Sequence, residues 1–204
     1  VEALRADPRF SHLDGAGYTI VVLDSGIDLD NPAFGADTDG DGVADRILFD
    51  RDFTNDGDGT AEDVFGHGTR VASVLGSSSP TAPGVAPGVN IVALQVLDNN
   101  GNGTGESLQR ALQWVIDNES AFNIVAVNLP IGQGINSSVP FSGILSDEMA
   151  DLADLGVITI AAAGNDYYSY QTEGLDYPAA EPSAIAVGAT FAGDMGPVDW
   201  SNSN

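Results

Sequence analysis

Three segments of the chain, residues 18–23, 91–97 and 123–129, are largely apolar and rich in β-branched residues. Such continuous apolar runs are typical of strands that are covered on both faces, as in a parallel sheet. Between the last two segments, apolar residues recur at the spacing of one helix face: Leu108, Ala111, Leu112, Val115 and Ile116. A strand, a helix and a further strand in this order predict an α/β fold with a parallel sheet and right-handed crossovers.

Three polar residues stand at the borders of apolar segments. Asp24 follows the first predicted strand, and carboxylates at the carboxyl ends of parallel strands lie where α/β sheets place their sites. His67 stands between two glycines before a helical pattern, where a neutral imidazole can accept a proton near pH 7. Asn165 follows another apolar run, and its amide can donate a hydrogen bond to a developing oxyanion. Taken alone, His67 fits a structural histidine at a helix start equally well.

The sequence around each of these residues resembles a motif of the subtilisin-like serine proteases. The three motifs are residues 21–28 (Val-Val-Leu-Asp-Ser-Gly-Ile-Asp), 66–73 (Gly-His-Gly-Thr-Arg-Val-Ala-Ser) and 161–166 (Ala-Ala-Ala-Gly-Asn-Asp). Two shorter matches, at 84–87 and 186–189, follow the family's order. Arg70 replaces the second histidine that is usual in the family. From this order of motifs, the chain is identified as a member of the family.

The resemblance implies a doubly wound, mostly parallel sheet with helices on both faces, and a peptidase that uses an Asp-His-Ser triad. Asp24 and His67 would be the triad residues present, and Asn165 would stabilise the oxyanion. Two segments would bind the substrate backbone: Leu129, Pro130, Ile131 and Gly132, and Ala163 with Gly164. Pro130 stands where serine is usual.

No part of the sequence matches the Gly-Thr-Ser-Met-Ala-like stretch that carries the family's nucleophile. Ser201–Ser203 resembles the segment that precedes that stretch, so we expect residues 1–204 to be one peptidase domain that is incomplete at its C-terminus. The fragment alone is then expected to be inactive. A catalytically inactive, calcium-stabilised binding module is the alternative. An aspartic protease is excluded, because it needs two Asp-Ser-Gly-like tripeptides and the chain has one.

Carboxylates alternate with other residues in 37–45, with glycine at the sixth position of the segment. Oxygen ligands at this spacing suit calcium, and position twelve lacks the glutamate of an EF-hand. The predicted ligands are the carboxylates of Asp37, Asp39, Asp41 and Asp45 and the carbonyl of Val43. A solvated acidic turn is the alternative interpretation.

The formal net charge of −24 excludes nucleic acid as a partner, because such a surface repels phosphates, and it disfavours anionic membranes. No stretch approaches the length of a membrane span, and the chain contains no cysteine. Relatives of this type are usually secreted. We therefore expect a secreted or extracellular monomer that acts on peptides or proteins.

Overall fold

The computed structural model describes residues 6–54 and 59–189, and for Tyr168 the backbone alone. The segment Ser201–Ser203, which resembles the family's region before the nucleophile, lies outside the described residues. The described residues form eight strands: β1 (Thr19–Asp24), β2 (Ile47–Asp52), β3 (Asn90–Gln95), β4 (Ile124–Leu129), β5 (Gln133–Ser137), β6 (Ile158–Ala162), β7 (Leu175–Tyr177) and β8 (Ala184–Val187).

Six of these strands form one sheet in the order β2-β3-β1-β4-β6-β8, and all its pairings are parallel. The other two, β5 and β7, pair antiparallel beside it. The predicted strands at 18–23, 91–97 and 123–129 match β1, β3 and β4 to within two residues at each end. The prediction of a mostly parallel α/β sheet is confirmed.

Helices cover both faces of the sheet. Three of them have eight or more residues: α1 (His67–Gly76), α2 (Gly105–Phe122) and α3 (Ser146–Asp154), and a short helix, α4, spans Tyr167–Tyr170. Val21 and Leu23 of β1 pack in one core with α2 and α3, whereas Val22 packs on the other side with α1. Since successive strand residues point to opposite faces, the apolar run of β1 supplies both cores. The doubly wound arrangement is confirmed.

The apolar residues before α3 lie outside the helix. α3 starts at Ser146, and Phe141 and Ile144 lie before it at 43% and 56% exposure. Phe141 packs edge-on against the Tyr177 ring, with ring centroids 5.7 Å apart, so its apolar character serves a loop contact. Gly156 follows the helix with φ 81°, the left-handed conformation that is common after a helix C-terminus. No helix in the described ranges is long and apolar enough to cross a membrane.

The strand order places a crevice at the carboxyl ends of β1 and β4. From β1 the chain builds β2 and β3 on one side, and it then returns to place β4 on the other side of β1. Open α/β sheets bind ligands at such switch points, outside the carboxyl ends of the strands. Asp24 is the last residue of β1 and Leu129 the last residue of β4.

Candidate active site

Asp24 is held rigidly by the strands on either side of it. Its carbonyl oxygen accepts hydrogen bonds from the N–H groups of Val96 (2.8 Å) and Leu97 (3.1 Å), which follow β3. Its side chain is fully buried, and Oδ1 accepts a 2.6 Å hydrogen bond from the N–H of Ser25. A buried carboxylate needs further partners, because removal from water disfavours its charge.

The partner is His67, the first residue of α1. Its Nδ1 lies 2.7 Å from Oδ1 and 2.8 Å from Oδ2 of Asp24. The hydrogen bond to Asp24 raises the pKa of the imidazole, and partial burial opposes that rise. Because Nδ1 is occupied by the carboxylate, Nε2 is the ring nitrogen left for proton exchange. The hydrogen bond expected between these two residues is present.

Asp63 joins the two segments that carry this pair, the end of β1 and the start of α1. Its Oδ1 accepts hydrogen bonds from Ser25 Oγ (2.8 Å) and Gly66 N (2.7 Å), and its Oδ2 accepts from Thr69 N (2.9 Å) and Thr69 Oγ1 (2.5 Å). The carboxylate therefore accepts hydrogen bonds from N–H groups at the start of α1, and its negative charge interacts favourably with the positive end of the helix dipole. Ser25 Oγ in turn accepts from Gly68 N at 3.0 Å. Asp63 thus fixes His67 relative to Asp24.

A close backbone approach also constrains this arrangement. A Cβ on Gly68 would overlap the carbonyl oxygen of Gly26 and lie 2.9 Å from Asp24 Cβ. Glycine at position 68 lets α1 start directly against the end of β1. Of the two glycines flanking His67, Gly68 therefore permits this close packing, and Gly66, with φ 84°, forms the turn before the helix.

A cavity of about 790 Å³ opens beside His67. Asn165 lines it from the loop after β6, and Pro130, Ile131 and Gly132 line it from the segment after β4. Tyr177 of β7 also lines the cavity. Sequence reasoning missed much of the remaining lining, which comes from the loop before α2 and from a residue near α3: Gly101, Asn102, Gly103 and Ile144. Its size is within the range of small-molecule and peptide pockets.

The other residues predicted to bind substrate do not line this cavity. Leu129 is fully buried in the core, so its side chain serves packing. Ala163 donates its N–H to Val187 O and accepts at its carbonyl from Asp176 N, both at 2.9 Å. Its backbone groups are thus occupied by β8 and β7. Gly164 has φ 106° and packs against the side chain of Asp176.

In the acidic loop, the structure brings together three of the four predicted carboxylates. Asp37, Asp39 and Asp45 each offer an oxygen within 4.8 Å of the others, and all three are exposed. Asp41 lies outside this set, and its Oδ1 accepts a 2.8 Å hydrogen bond from the N–H of Val43. The N–H groups of Gly40 and Gly42 lower the pKa of Asp37.

Comparisons with known proteins agree with the fold and the motifs. The subtilase family model matches residues 15–204. The chain is 33% identical over 197 residues to an extracellular serine proteinase of Thermus sp. (strain Rt41A), covering 94% of this chain and 41% of that protein. It is 31% identical over 177 residues to subtilisin E of Bacillus subtilis (strain 168), covering 86% and 41%.

Among solved structures, a cold adapted subtilisin-like serine proteinase superposes with a TM-score of 0.68 at 30% identity, over 88% of this chain and 57% of that one. The chain spans about two fifths of the length of the two curated relatives. The family match covers most of the chain and agrees with the parallel sheet and with the three motifs. The chain therefore belongs to the subtilase family of serine proteases.

Proposed function

We propose that this chain carries the Asp and His of an Asp-His-Ser endopeptidase, with the nucleophilic serine lying beyond residue 204. The observation that carries the proposal is the buried Asp24 carboxylate, which has both oxygens within 2.8 Å of Nδ1 of His67, while His67 and Asn165 line one cavity. An imidazole oriented by a carboxylate and an amide on the same cavity suit acyl transfer from a peptide.

Each residue has a distinct task in the proposed reaction. Asp24 fixes the tautomer of His67 and stabilises the imidazolium that forms when Nε2 takes the proton of the serine hydroxyl. The serine oxygen then bonds to the peptide carbonyl carbon, and Asn165 donates a hydrogen bond to the resulting oxyanion. His67 returns the proton to the leaving amine, and water repeats the sequence to release the acid.

The proposed substrate is a peptide or protein held in extended form along Pro130, Ile131 and Gly132. The relative from Thermus is named an extracellular proteinase, which supports a secreted location for this protein as well. A net charge of −24 supports a monomer that avoids nucleic acid, because like-charged copies repel one another.

Labelling of the full-length protein with a serine-directed phosphonate tests the proposal. We expect one labelled serine beyond residue 204, together with hydrolysis of casein. His67→Ala should abolish both, whereas Asp151→Asn on the exposed face of α3 should retain both. A labelled serine within residues 1–204 would contradict the assignment. A protein that folds and binds peptides without labelling or hydrolysis is the inactive module.

We further propose that Asp37, Asp39 and Asp45 hold a structural calcium ion, with the Val43 carbonyl as an additional ligand. Three carboxylate oxygens within 4.8 Å suit a hard cation with flexible oxygen coordination. An ion that binds only the folded state adds about 2.7 kcal/mol at a hundred times its dissociation constant. Calcium should therefore raise the thermal midpoint more than magnesium does.

Two neighbouring variants make this test specific. Asp39→Asn removes a member of the carboxylate set, and Asp41→Asn makes the same charge change outside it. We expect the first to lose most of the calcium-dependent gain and the second to keep it. If the thermal unfolding midpoint of the wild-type protein is the same in millimolar calcium and in chelator, the loop is a solvated acidic turn and not a calcium site.

A further inference from the structure

The loop between β3 and α2 contains two asparagine–glycine pairs, Asn100-Gly101 and Asn102-Gly103, and the sequence contains no other such pair. Both asparagines are exposed. Asparagine is chemically labile, and a following glycine increases its lability. No side chain then hinders the approach of the glycine nitrogen to the carbonyl carbon of the asparagine side chain. The loop therefore has two candidate sites of spontaneous deamidation.

The fold holds the two glycine nitrogens differently. The N–H of Gly101 donates a 2.8 Å hydrogen bond to the carbonyl oxygen of Asp98. Gly103 lies opposite Leu97 in an isolated antiparallel bridge, beside which the N–H of Asp98 donates to the carbonyl oxygen of Asn102 at 2.8 Å. Within the described ranges, the N–H of Gly103 itself has no hydrogen-bond partner. Attack by the Gly101 nitrogen must break a hydrogen bond, whereas attack by the Gly103 nitrogen breaks none.

The side-chain amide of Asn102 is also loosely held. Its Nδ2 lies 3.4 Å from Oδ1 of Asp98, which is a long contact, whereas the backbone N–H groups of Asn100 and Asn102 donate to the same oxygen at 2.8 Å. The N–H groups of Asn102 and Asn100 lower the pKa of Asp98, so its carboxylate is charged at neutral pH. A carboxylate formed at position 102 would repel this charge and weaken the turn.

The turn lies where such a change reaches the candidate active site. Gly101, Asn102 and Gly103 line the cavity beside His67. The next residue, Thr104, caps the start of α2 through its side-chain oxygen. A new charge at position 102 therefore alters one wall of the cavity and the approach to a helix that packs in the core.

We propose that Asn102 is a site of spontaneous deamidation that alters the cavity beside His67. The nitrogen of Gly103 bonds to Cγ of Asn102, and its proton passes through water to the side-chain nitrogen, which leaves as ammonia. Water then opens the resulting succinimide ring to aspartate or to isoaspartate, which lengthens the backbone by a methylene group. Both products place a carboxylate on the cavity rim beside Asp98. The modification itself does not depend on the peptidase function proposed above, whereas its effect on cleavage does.

Mass spectrometry of the full-length protein tests the modification, with His67→Ala used to prevent self-digestion. After incubation at pH 8, we expect conversion at Asn102 to be about fivefold faster than at Asn100, because a hydrogen bond holds the Gly101 nitrogen. Conversion should be slower at pH 5, since base removes the N–H proton. An unfolded peptide of residues 97–106 should convert the two asparagines at similar rates. Equal rates in the folded protein, or a faster Asn100, would overturn the inference. If His67→Ala does not fold, the wild-type protein at short incubation times gives the same comparison.

Two variants connect the modification to activity. Asn102→Gln has to close a larger ring and so deamidates far more slowly, and Asn100→Gln is the matched control. At pH 8, the wild type and Asn100→Gln should lose casein hydrolysis per intact molecule in step with conversion at Asn102, whereas Asn102→Gln should keep its own initial activity longer. An equal decline in all three proteins would overturn the effect on the cavity. No hydrolysis of casein before incubation would instead overturn the peptidase function, and the mass comparison would still decide the deamidation.

Discussion

Two buried carboxylates, Asp24 and Asp176, have different surroundings. Asp24 is fully buried and has His67 Nδ1 within 2.8 Å of both oxygens. Asp176 is 6% exposed and packs against Gly132 and Gly164, and the described residues give it no ion pair. A basic partner suits a carboxylate that orients a catalytic group. Without such a partner, burial and the charge of Asp166 raise the pKa of Asp176.

The frameworks that hold the two residues also differ. Asp24 ends a central strand of the six-stranded parallel sheet and pairs in register with Gln95. Asp176 lies in a two-stranded antiparallel ribbon of three and five residues. Since short ribbons are less rigid than a central strand, Asp24 is held more firmly than Asp176 and keeps its imidazole fixed.

The largest expected effect comes from Asp24→Asn. The amide can bind the imidazole in the wrong tautomer, which costs about 10⁴-fold in kcat in a serine-protease triad. We expect a loss of that size in the full-length protein with casein as the substrate. A loss below tenfold for Asp24→Asn would remove Asp24 from the triad.

The second-largest effect is expected from a change at Asp63, which holds His67 in position beside Asp24. Asp63→Ala removes four hydrogen bonds to a charged group at the start of α1. Bonds of this kind contribute about 1.5–3 kcal/mol each, and partial exposure reduces their sum. We expect the free energy of unfolding of residues 1–204 to fall by about 3 kcal/mol in urea titrations.

Asp30→Ala is the matched control for this measurement, because Asp30 is an exposed aspartate in the loop after Ile27. It should change the free energy of unfolding by less than about 0.5 kcal/mol. An Asp63→Ala protein as stable as the control would show that the helix start holds without its carboxylate.

A third prediction follows from the raised pKa of His67. Because the pKa of His67 is higher in the folded than in the unfolded state, its protonation stabilises the fold below the unfolded pKa of about 6.5. This stabilisation is lost as the pH rises through the pKa of the folded state. Activity needs the neutral imidazole, so the acidic limb of kcat/KM should have its midpoint above the ordinary histidine value. Asp24→Asn should move the midpoint of His67 to lower pH in an NMR titration, with His12 as the internal reference. An unchanged midpoint would mean that Asp24 does not stabilise the imidazolium.

The position of Asp24 next to His67 could be predicted from sequence, because a local sequence pattern locates each of the two residues. An apolar run ending in an aspartate fixes the carboxyl end of β1, and the glycine-flanked His67 fixes the start of α1. The role of Asp63 was not predictable in this way. Its four hydrogen bonds come from Ser25, Gly66 and Thr69, and Ser25 lies 38 positions earlier in the chain, so only the folded chain brings these groups together.

The buried position of Asp176 was not predicted, because it depends on the pairing of two strands that are distant in sequence. Residues 175–177 give no strand pattern, and β7 forms only through its pairing with β5, about forty positions earlier. The one available signal was an aspartate between Leu175 and Tyr177 in an otherwise apolar stretch. In the acidic loop, alternate spacing predicted four converging carboxylates, and the folded loop brings together those of Asp37, Asp39 and Asp45 without that of Asp41.

The smallest expected effect is the pH dependence of stability at Asp176. Its raised pKa means that the folded state binds the proton more tightly than the unfolded state, so this group destabilises the fold as pH rises from about 4. Asp176→Asn removes the charge and keeps an acceptor for one backbone N–H. We expect the variant to equal the wild type near pH 4 and to be more stable by about 1 kcal/mol at pH 7. Urea titrations of residues 1–204 at both pH values measure the difference, with Asp151→Asn as the control. A variant that is less stable than the wild type at pH 7 would make the ionised Asp176 a structural anchor, and the contrast with Asp24 would then disappear.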